Sequence, residues 1–143
     1  MATSQDMSEE YDIGLGARLG LIVLVLWALL CAAWNIIGTL QILDGERPIG
    51  PATSFHAAGF SIALGVCFIV AARWKPILFL VLALVAAALA GVTVWNAFHL
   101  RTSLWPSEFW RFVAVSFNAA GFAGALLVLA DGALYMLTRS KSA

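Results

Sequence analysis

Four stretches of this chain are too long and too apolar to form the core of a water-soluble domain. They run from about Leu19 to Leu43, Phe55 to Ala72, Ile77 to Leu100 and Phe109 to Leu137. A helix needs about 20 mostly apolar residues to cross the hydrocarbon core of a bilayer. Helices can also pair every backbone N–H and C=O internally, as lipid requires. The pattern therefore predicts an all-α membrane protein, a bundle of four transmembrane helices.

The composition supports the same conclusion. Of the 143 residues, 62% are apolar and 11% are charged, against about 45–50% and 25% in soluble domains. Eight basic and eight acidic residues cancel, so the chain has no basic field with which to bind nucleic acid. The lipid bilayer is the partner that the composition predicts.

The links between the spans are short, so residues 1–143 are predicted to form a single domain with polar tails at 1–16 and 138–143. If the amino terminus is cytoplasmic, the cytoplasmic cations are Arg18, Arg73, Lys75, Arg139 and Lys141, and those outside are Arg47, Arg101 and Arg111. Positive charge favours the cytoplasmic side of a membrane. We therefore predict a multi-pass protein of the bacterial inner membrane with both termini in the cytoplasm.

An internal repeat links the second span to the fourth. Ser54–Phe60 recurs as Ser116–Phe122 with one mismatch, and nine of the thirteen positions from Ser54 onward are identical at a shift of 62. In the first and third spans, Trp34-Asn35 recurs as Trp95-Asn96. These matches predict two duplicated helical hairpins, related by a pseudo-two-fold axis along the membrane normal.

Small residues recur at equivalent places in this repeat. Gly59 and Ala63 in the second span correspond to Gly121 and Ala125 in the fourth. Small residues four apart allow membrane helices to approach closely. We expect both pairs to pack helices inside the bundle, although the same faces would also suit another membrane protein or a second copy of this chain.

Polar side chains inside the spans gather in one predicted outer layer. The layer consists of Asn35, His56, Asn96, His99 and Asn118, flanked by Trp34 and Trp95. Its simplest role is a set of interhelical hydrogen bonds that fix how the helices pack. The alternative is a ligand site for a quinone or a lipid headgroup, or for a haem b with His56 and His99 as axial ligands. No other metal site is predicted.

Asp131 is the one carboxylate within a span, about two turns from the inner end of the fourth helix. Acidic residues in membranes carry protons or cations in many transporters. The residue at the equivalent place in the repeat is Ile69, so the acid does not belong to the duplicated pattern. We therefore favour a structural ion pair with Arg18 or Arg73, whose long side chains can reach inward from the interface.

The sequence contains no Gly-rich phosphate loop, no His-Glu-x-x-His pair and no Gly-x-Ser-x-Gly elbow. An enzyme is not expected. The sequence favours a structural or accessory role in a membrane complex. Two alternatives stay open, namely a ligand-binding module that uses the outer polar layer and a small oligomeric transporter that uses Asp131.

Overall fold

A computed structural model describes residues 14–99 and 102–139. It contains a short 3₁₀ turn, Thr102–Leu104, and four helices, α1 (Leu15–Leu43), α2 (Phe55–Trp74), α3 (Pro76–His99) and α4 (Glu108–Arg139). Each of the four is long and apolar enough to span a membrane. The predicted four-helix membrane protein is thus confirmed, while the orientation of the termini and the kind of membrane stay predictions.

Five helix ends extend beyond the predicted spans, namely the start of α1, the end of α2, the start of α3 and both ends of α4. α1 begins at Leu15, inside the segment predicted as a tail, because apolar Leu15 and buried Ala17 continue the helix past Arg18. α4 continues to Arg139. The predicted tails at 1–13 and 140–143, and the predicted last residue of the third span, Leu100, with the neighbouring Arg101, lie outside the described residues.

Local sequence signals account for the start of α2 and α3. The Ser54 hydroxyl accepts a hydrogen bond from the Ala57 N–H at 3.1 Å and so caps α2, as residues of this type do at helix starts. Pro76 is the first residue of α3. An N–H at this position would have no acceptor within the helix, so its absence in proline costs no hydrogen bond. Because only Lys75 separates α2 from α3, the two helices form a tight hairpin.

The helices pack in a closed cycle. α1 packs against α2 and α4, α3 packs against α4, and the interface between α2 and α3 is the smallest of the four. We call the end that carries the loop 44–54 and residues 102–107 the loop end. The opposite end, with residues 14 and 139 and the α2–α3 link, is the terminal end.

Glycines bring α1 and α4 into close contact. A Cβ added at Gly20 would lie 2.6 Å from both the carbonyl oxygen of Gly124 and the Cγ2 of Val128. A Cβ at Gly124 would lie 2.6 Å from Cγ1 of Val23. Close approach over small residues gives membrane helices the dispersion contact that holds them together. The fully buried large side chains of the core are Leu24, Phe68, Phe79 and Val128.

The two copies of the predicted repeat lie in different environments. Gly121 and Ala125 are buried, and a Cβ at Gly121 would meet the Trp27 indole at 2.5 Å. Gly59 and Ala63 are exposed, and apart from the adjoining residues and backbone of α2 itself, no atom of the described chain lies within 4 Å of a Cβ built at Gly59. The residues that α2 buries nearby are Ala58, Leu64 and Gly65. Within the bundle, the packing role therefore belongs to the α4 pair and not to the α2 pair.

The helix interfaces also differ between the halves. An exact two-fold axis relating the α1–α2 hairpin to the α3–α4 hairpin would make the α1–α4 interface equal to the α2–α3 interface. The first is extensive and the second is small. The duplication and its symmetry axis accordingly stay predictions from the sequence.

Candidate functional site

A cavity of about 400 Å³ lies in the loop-end half of the bundle. Helices α1 to α4 and both loops contribute to its wall. The wall is largely apolar and aromatic, with Trp27, Ala28, Leu64, Leu89 and Phe117 among its members. Its polar members are Cys31, Asn35, Ser61, Thr93, Asn96 and Asn118. The volume and the lining are those of sites that hold small organic ligands, which measure about 300–1,000 Å³.

Aromatic rings cover the cavity at the loop end. The Trp34 ring centroid lies 5.4 Å from that of Phe117, 5.9 Å from that of Trp110 and 6.3 Å from that of Trp105, all in tilted or edge-on geometry. Such pairs favour these arrangements because the ring edges are positive and the faces negative. The four rings join α1, α4 and the α3–α4 loop above the cavity.

Arg47 connects the two loops across this aromatic cover. Its Nη2 donates to the backbone oxygens of Ser103 at 3.3 Å and Trp105 at 3.0 Å. A guanidinium has several donors in a fixed plane, which suits two neighbouring carbonyls. Arg47 thereby holds Trp105 in place over the cavity.

Asn35 ties the start of α2 to α1. Its Nδ2 donates to the Cys31 oxygen at 2.8 Å, and its Oδ1 accepts the Ser54 N–H at 3.3 Å. One turn and a half further along α1, Gln41 Oε1 accepts the Ile49 N–H at 2.8 Å. The bonds to Ser54 and Ile49 satisfy backbone N–H groups of the loop 44–54. Asn35 thus acts in the structure as a connector.

Asn118 joins α4 to α1 deep in the bundle. Its side chain is 4% exposed, its Oδ1 accepts the Trp27 Nε1–H at 3.1 Å, and its Nδ2 donates to the Ala114 oxygen at 2.8 Å. A buried indole N–H needs such a partner. This pair is an interhelical hydrogen bond of the kind expected for the polar layer.

Asn96 differs from the other two asparagines. It is half-buried and lines the cavity, and within residues 14–99 and 102–139 its side-chain amide makes no hydrogen bond. One turn earlier, the Thr93 hydroxyl is already bonded to the Leu89 oxygen at 2.9 Å. A carboxamide offers two donors and one acceptor oxygen. Asn96 therefore presents its full hydrogen-bonding capacity to a cavity whose wall is largely apolar.

The two histidines lie elsewhere. His56 is exposed on α2. His99 is exposed at the end of α3 and stacks on Trp95, with centroids 3.8 Å apart and planes at 13°. The described wall of the cavity includes neither histidine. Of the predicted layer, the structure brings together Trp34, Asn35, Asn96 and Asn118 and leaves out His56, Trp95 and His99.

Sequence analysis overlooked Trp27 and the Arg47–Trp105 connection. Trp27 lies seven residues before Trp34, so the two indoles share a face of α1, and that spacing is a signal in the sequence. The contact between Arg47 and Trp105 spans 58 positions and depends on two irregular loops. No periodic pattern could have predicted it.

Asp131 lies at the terminal end, away from the cavity. Its half-buried carboxylate lies against the first turn of α1, where a Cβ added at Gly14 would overlap both of its oxygens and one at Gly16 would lie 3.1 Å from Oδ1. Gly14 is the N-cap of α1 and makes no side-chain cap. A negative charge is stabilised at the N-terminus of a helix. Asp131 thus faces the start of α1, the part of the helix in which its predicted partner Arg18 lies; the predicted ion pair stays a prediction.

Comparisons of this chain with protein-family models, with curated proteins and with solved structures find no match. Four-helix membrane bundles serve many unrelated functions, so the architecture alone implies none of them. The cavity and its polar groups are therefore the evidence that bears on function.

Proposed function

We propose that this membrane protein is a non-catalytic binding module that holds one lipid-soluble molecule in the loop-end cavity. The observation that carries the proposal is the Asn96 amide, which has no hydrogen-bond partner in the described chain and lies in a cavity of about 400 Å³ with aromatic walls. Polar groups in apolar pockets fix the orientation of a ligand. Asn96 is available for that task, as is the Trp105 Nε1–H, which also lacks a hydrogen-bond partner in the described chain.

The chemistry of the wall restricts the ligand. Trp27, Leu64 and Phe117 favour an apolar body, since burial of apolar surface is the main gain on binding. The Asn96 Nδ2 can donate to a carbonyl or ester oxygen, and its Oδ1 can accept from a hydroxyl. A quinone carbonyl and a lipid headgroup both meet these requirements.

A haem b held by His56 and His99 has less support. Both imidazoles are exposed, and neither lies in the described wall of the cavity. Oxidised and reduced absorption spectra of protein purified with its native lipids test this alternative directly. A Soret band that is lost in His56→Ala or His99→Ala would replace our proposal with electron transfer.

An accessory role in a membrane complex is the second candidate. It is favoured by the exposed Gly59 and Ala63, which leave a small-residue face on α2 without a packing partner in the described chain. Such faces suit close approach of another membrane helix. Stoichiometric co-purification of one defined membrane protein, lost in Gly59→Leu, would establish that role.

The binding proposal is tested by filling the cavity. Ser61 lines the cavity, whereas Ala63 lies on the exposed side of the same helix. Wild-type protein, Ser61→Trp and Ala63→Trp are purified in mild detergent, and co-purified lipid-soluble molecules are quantified per protein by mass spectrometry. We expect a stoichiometric species in the wild type and in Ala63→Trp that is lost in Ser61→Trp.

Asn96→Leu examines the polar contact separately. It keeps the cavity apolar and similar in size but removes the hydrogen-bonding group, so retention of the same species should fall severalfold. A species that is bound equally by Ser61→Trp and the wild type, or no bound species in the wild type, would contradict the proposal.

A further inference from the structure

The cavity wall is incomplete between α2 and α3. Phe60 on α2 and Leu89 on α3 both line the cavity, yet they are 58% and 41% exposed. Thr93, one turn from Leu89, lines the cavity and is exposed as well. Residues that face a cavity and the outside at once mark its mouth. The mouth therefore lies between α2 and α3.

The hairpin geometry explains this gap. At the terminal end, Lys75 alone links the helices, and buried Ala71, Ala72 and Ala83 allow close packing there. Toward the loop end nothing in the link holds the helices together, and the large Phe60 and Leu89 stand at the surface. The two helices are thus in contact mainly at one end, which agrees with the small interface between them.

The loop end is closed by comparison. Trp34 packs with Trp105 and Phe117 above the cavity, and Arg47 bonds to the backbone of the α3–α4 loop. Asn35 holds the start of α2 against α1. Of the described residues that line the cavity at the loop end, Ala52 is exposed, whereas Trp34, Pro51 and Trp105 are half-buried. The main opening of the cavity is therefore at the side of the bundle, where lipid lies.

The depth of the mouth matches one bilayer leaflet. From Leu89 to His99, the end of α3, the helix rises about 15 Å at ~1.5 Å per residue. Half of a hydrocarbon core of about 30 Å has the same depth. Asn96 lies near the loop end of this interval and Leu89 near the bilayer centre. An amphiphile of that leaflet would have its head beside Asn96 and its chain beside Leu89.

We propose that the gap between α2 and α3 is a lateral portal, through which a chain-bearing amphiphile of the bilayer places its polar head at Asn96 and leaves its chain between Phe60 and Leu89. This inference rests on the proposed function and adds the route of entry and the chemical form of the ligand. The ligand is then expected to come from the bilayer and not from water, because the main opening of the cavity is at the side of the bundle.

The test uses palmitic acid that carries a photoactivatable diazirine on its chain, incorporated into phosphatidylcholine vesicles with the full-length protein. After illumination, labelled residues are identified by mass spectrometry. Trp27 and Ala28 on α1 line the cavity, while Leu29 and Leu30 on the same helix are exposed. Label on Leu29 and Leu30 reports ordinary contact with the bilayer, and label on Trp27 and Ala28 reports entry into the cavity.

Leu89→Trp narrows the portal, and Val92→Trp is its matched control. Val92 is 58% exposed on the same helix and does not belong to the described cavity wall. We expect label on Trp27 and Ala28 in the wild type and in Val92→Trp, and a severalfold loss in Leu89→Trp with Leu29 and Leu30 labelled as before. That unchanged exterior label also shows that Leu89→Trp is folded and inserted.

Four results would overturn this proposal in whole or in part. Equal interior labelling in Leu89→Trp, or interior labelling that appears only in Arg47→Ala, would show that the chain enters elsewhere and would leave the binding cavity intact. No interior label in the wild type, combined with a co-purified species that Ser61→Trp removes, would overturn the chain-bearing ligand alone. The absence of both would overturn the proposed function as well.

Discussion

The interfaces on the two sides of the bundle are built differently. Between α1 and α4, Gly20 and Gly124 let the backbones approach so closely that an added methyl group would collide. Between α2 and α3, Phe60 and Leu89 stand apart at the loop end and remain exposed. Lipid gives helices no hydrophobic reason to associate, so packing depends on side-chain size. Small residues make one side a rigid seam, and large residues leave the other side open.

The repeated segments show the same contrast. Gly121 is buried against Trp27, whereas Gly59, its equivalent in the repeat, is exposed. Asn118 is buried and His56, its equivalent, is exposed. A helix turns by about 100° per residue, and the buried positions of α2 are not those that correspond to the buried positions of α4, so the two helices bury different faces of the repeated segment. Similar segments can therefore build a seam in one half and a portal in the other.

The largest effect on stability is expected when a methyl group is added at the α1–α4 seam, compared with the same change on the exposed face of α2. Gly20→Ala places a Cβ 2.6 Å from the Gly124 oxygen, and since backbone cannot move aside, we expect a loss of about 1–3 kcal/mol in the free energy of unfolding. Gly59→Ala is the matched change in open space and should raise stability by up to about 1 kcal/mol, as Gly to Ala does within helices. Denaturant unfolding in detergent, followed by circular dichroism, measures both.

Gly20→Ala and Gly59→Ala are expected to change the free energy of unfolding in opposite directions, and this difference tests how closely the helices pack. If only the higher helix propensity of alanine mattered, both substitutions would stabilise the protein, because both glycines lie inside helices. Stabilisation by Gly20→Ala would mean that α1 and α4 are not in close contact at Gly20. Destabilisation by Gly59→Ala would mean that the exposed face of α2 is covered by a partner, which would favour the accessory role.

The fold was predictable because the length and apolarity of the four spans leave few alternatives in lipid. Asn35, Asn96 and Asn118 were also predictable as a group, since polar side chains in spans are rare. The positions of His56 and Gly59 depend on the rotation of α2, which its nearly uniform apolar composition does not encode. The Arg47–Trp105 contact depends on loop conformation. That the Asn96 amide lacks a hydrogen-bond partner among the described residues depends on how all the surrounding side chains pack.

An intermediate effect is expected from the buried polar contact of the seam. Asn118→Leu removes the acceptor for the Trp27 N–H and leaves that donor unpaired, so we expect a loss of about 0.6–1.7 kcal/mol, the range for hydrogen bonds between membrane helices. His56→Leu, the equivalent change in the repeat, alters an exposed side chain and should leave stability unchanged. The same unfolding measurement compares them.

A double-mutant cycle with Trp27→Phe isolates the hydrogen bond. If it contributes as expected, Asn118→Leu should cost less in the Trp27→Phe background than in the wild type. Equal losses in both backgrounds would show that Asn118 acts through packing alone. A loss from His56→Leu as large as that from Asn118→Leu would restore the symmetric polar layer that the repeat predicts.

The smallest effect is expected where the seam reaches the terminal end. Asp131→Asn keeps the shape of the side chain beside Gly14 and Gly16 but removes its charge from the start of α1. Charges at helix ends contribute about 0.3–1 kcal/mol, so a loss of that size is expected at low ionic strength, with less at high salt. Denaturant unfolding at two salt concentrations measures the difference in the free energy of unfolding between the wild type and Asp131→Asn.

Gly14→Ala shows whether the carboxylate occupies the position in which the structure places it. In the wild type, the new methyl group would overlap both oxygens of Asp131 and should destabilise the protein. In an Asp131→Ala background the space is empty, so the same change should cost less, and the difference is the coupling between the two sites. Equal costs would mean that Asp131 points away from α1.

The transport alternative for Asp131 has its own test. If proton-coupled flux through vesicles is lost in Asp131→Asn while stability is unchanged, this acid is a transport residue, and the functional centre lies at the terminal end and not in the cavity.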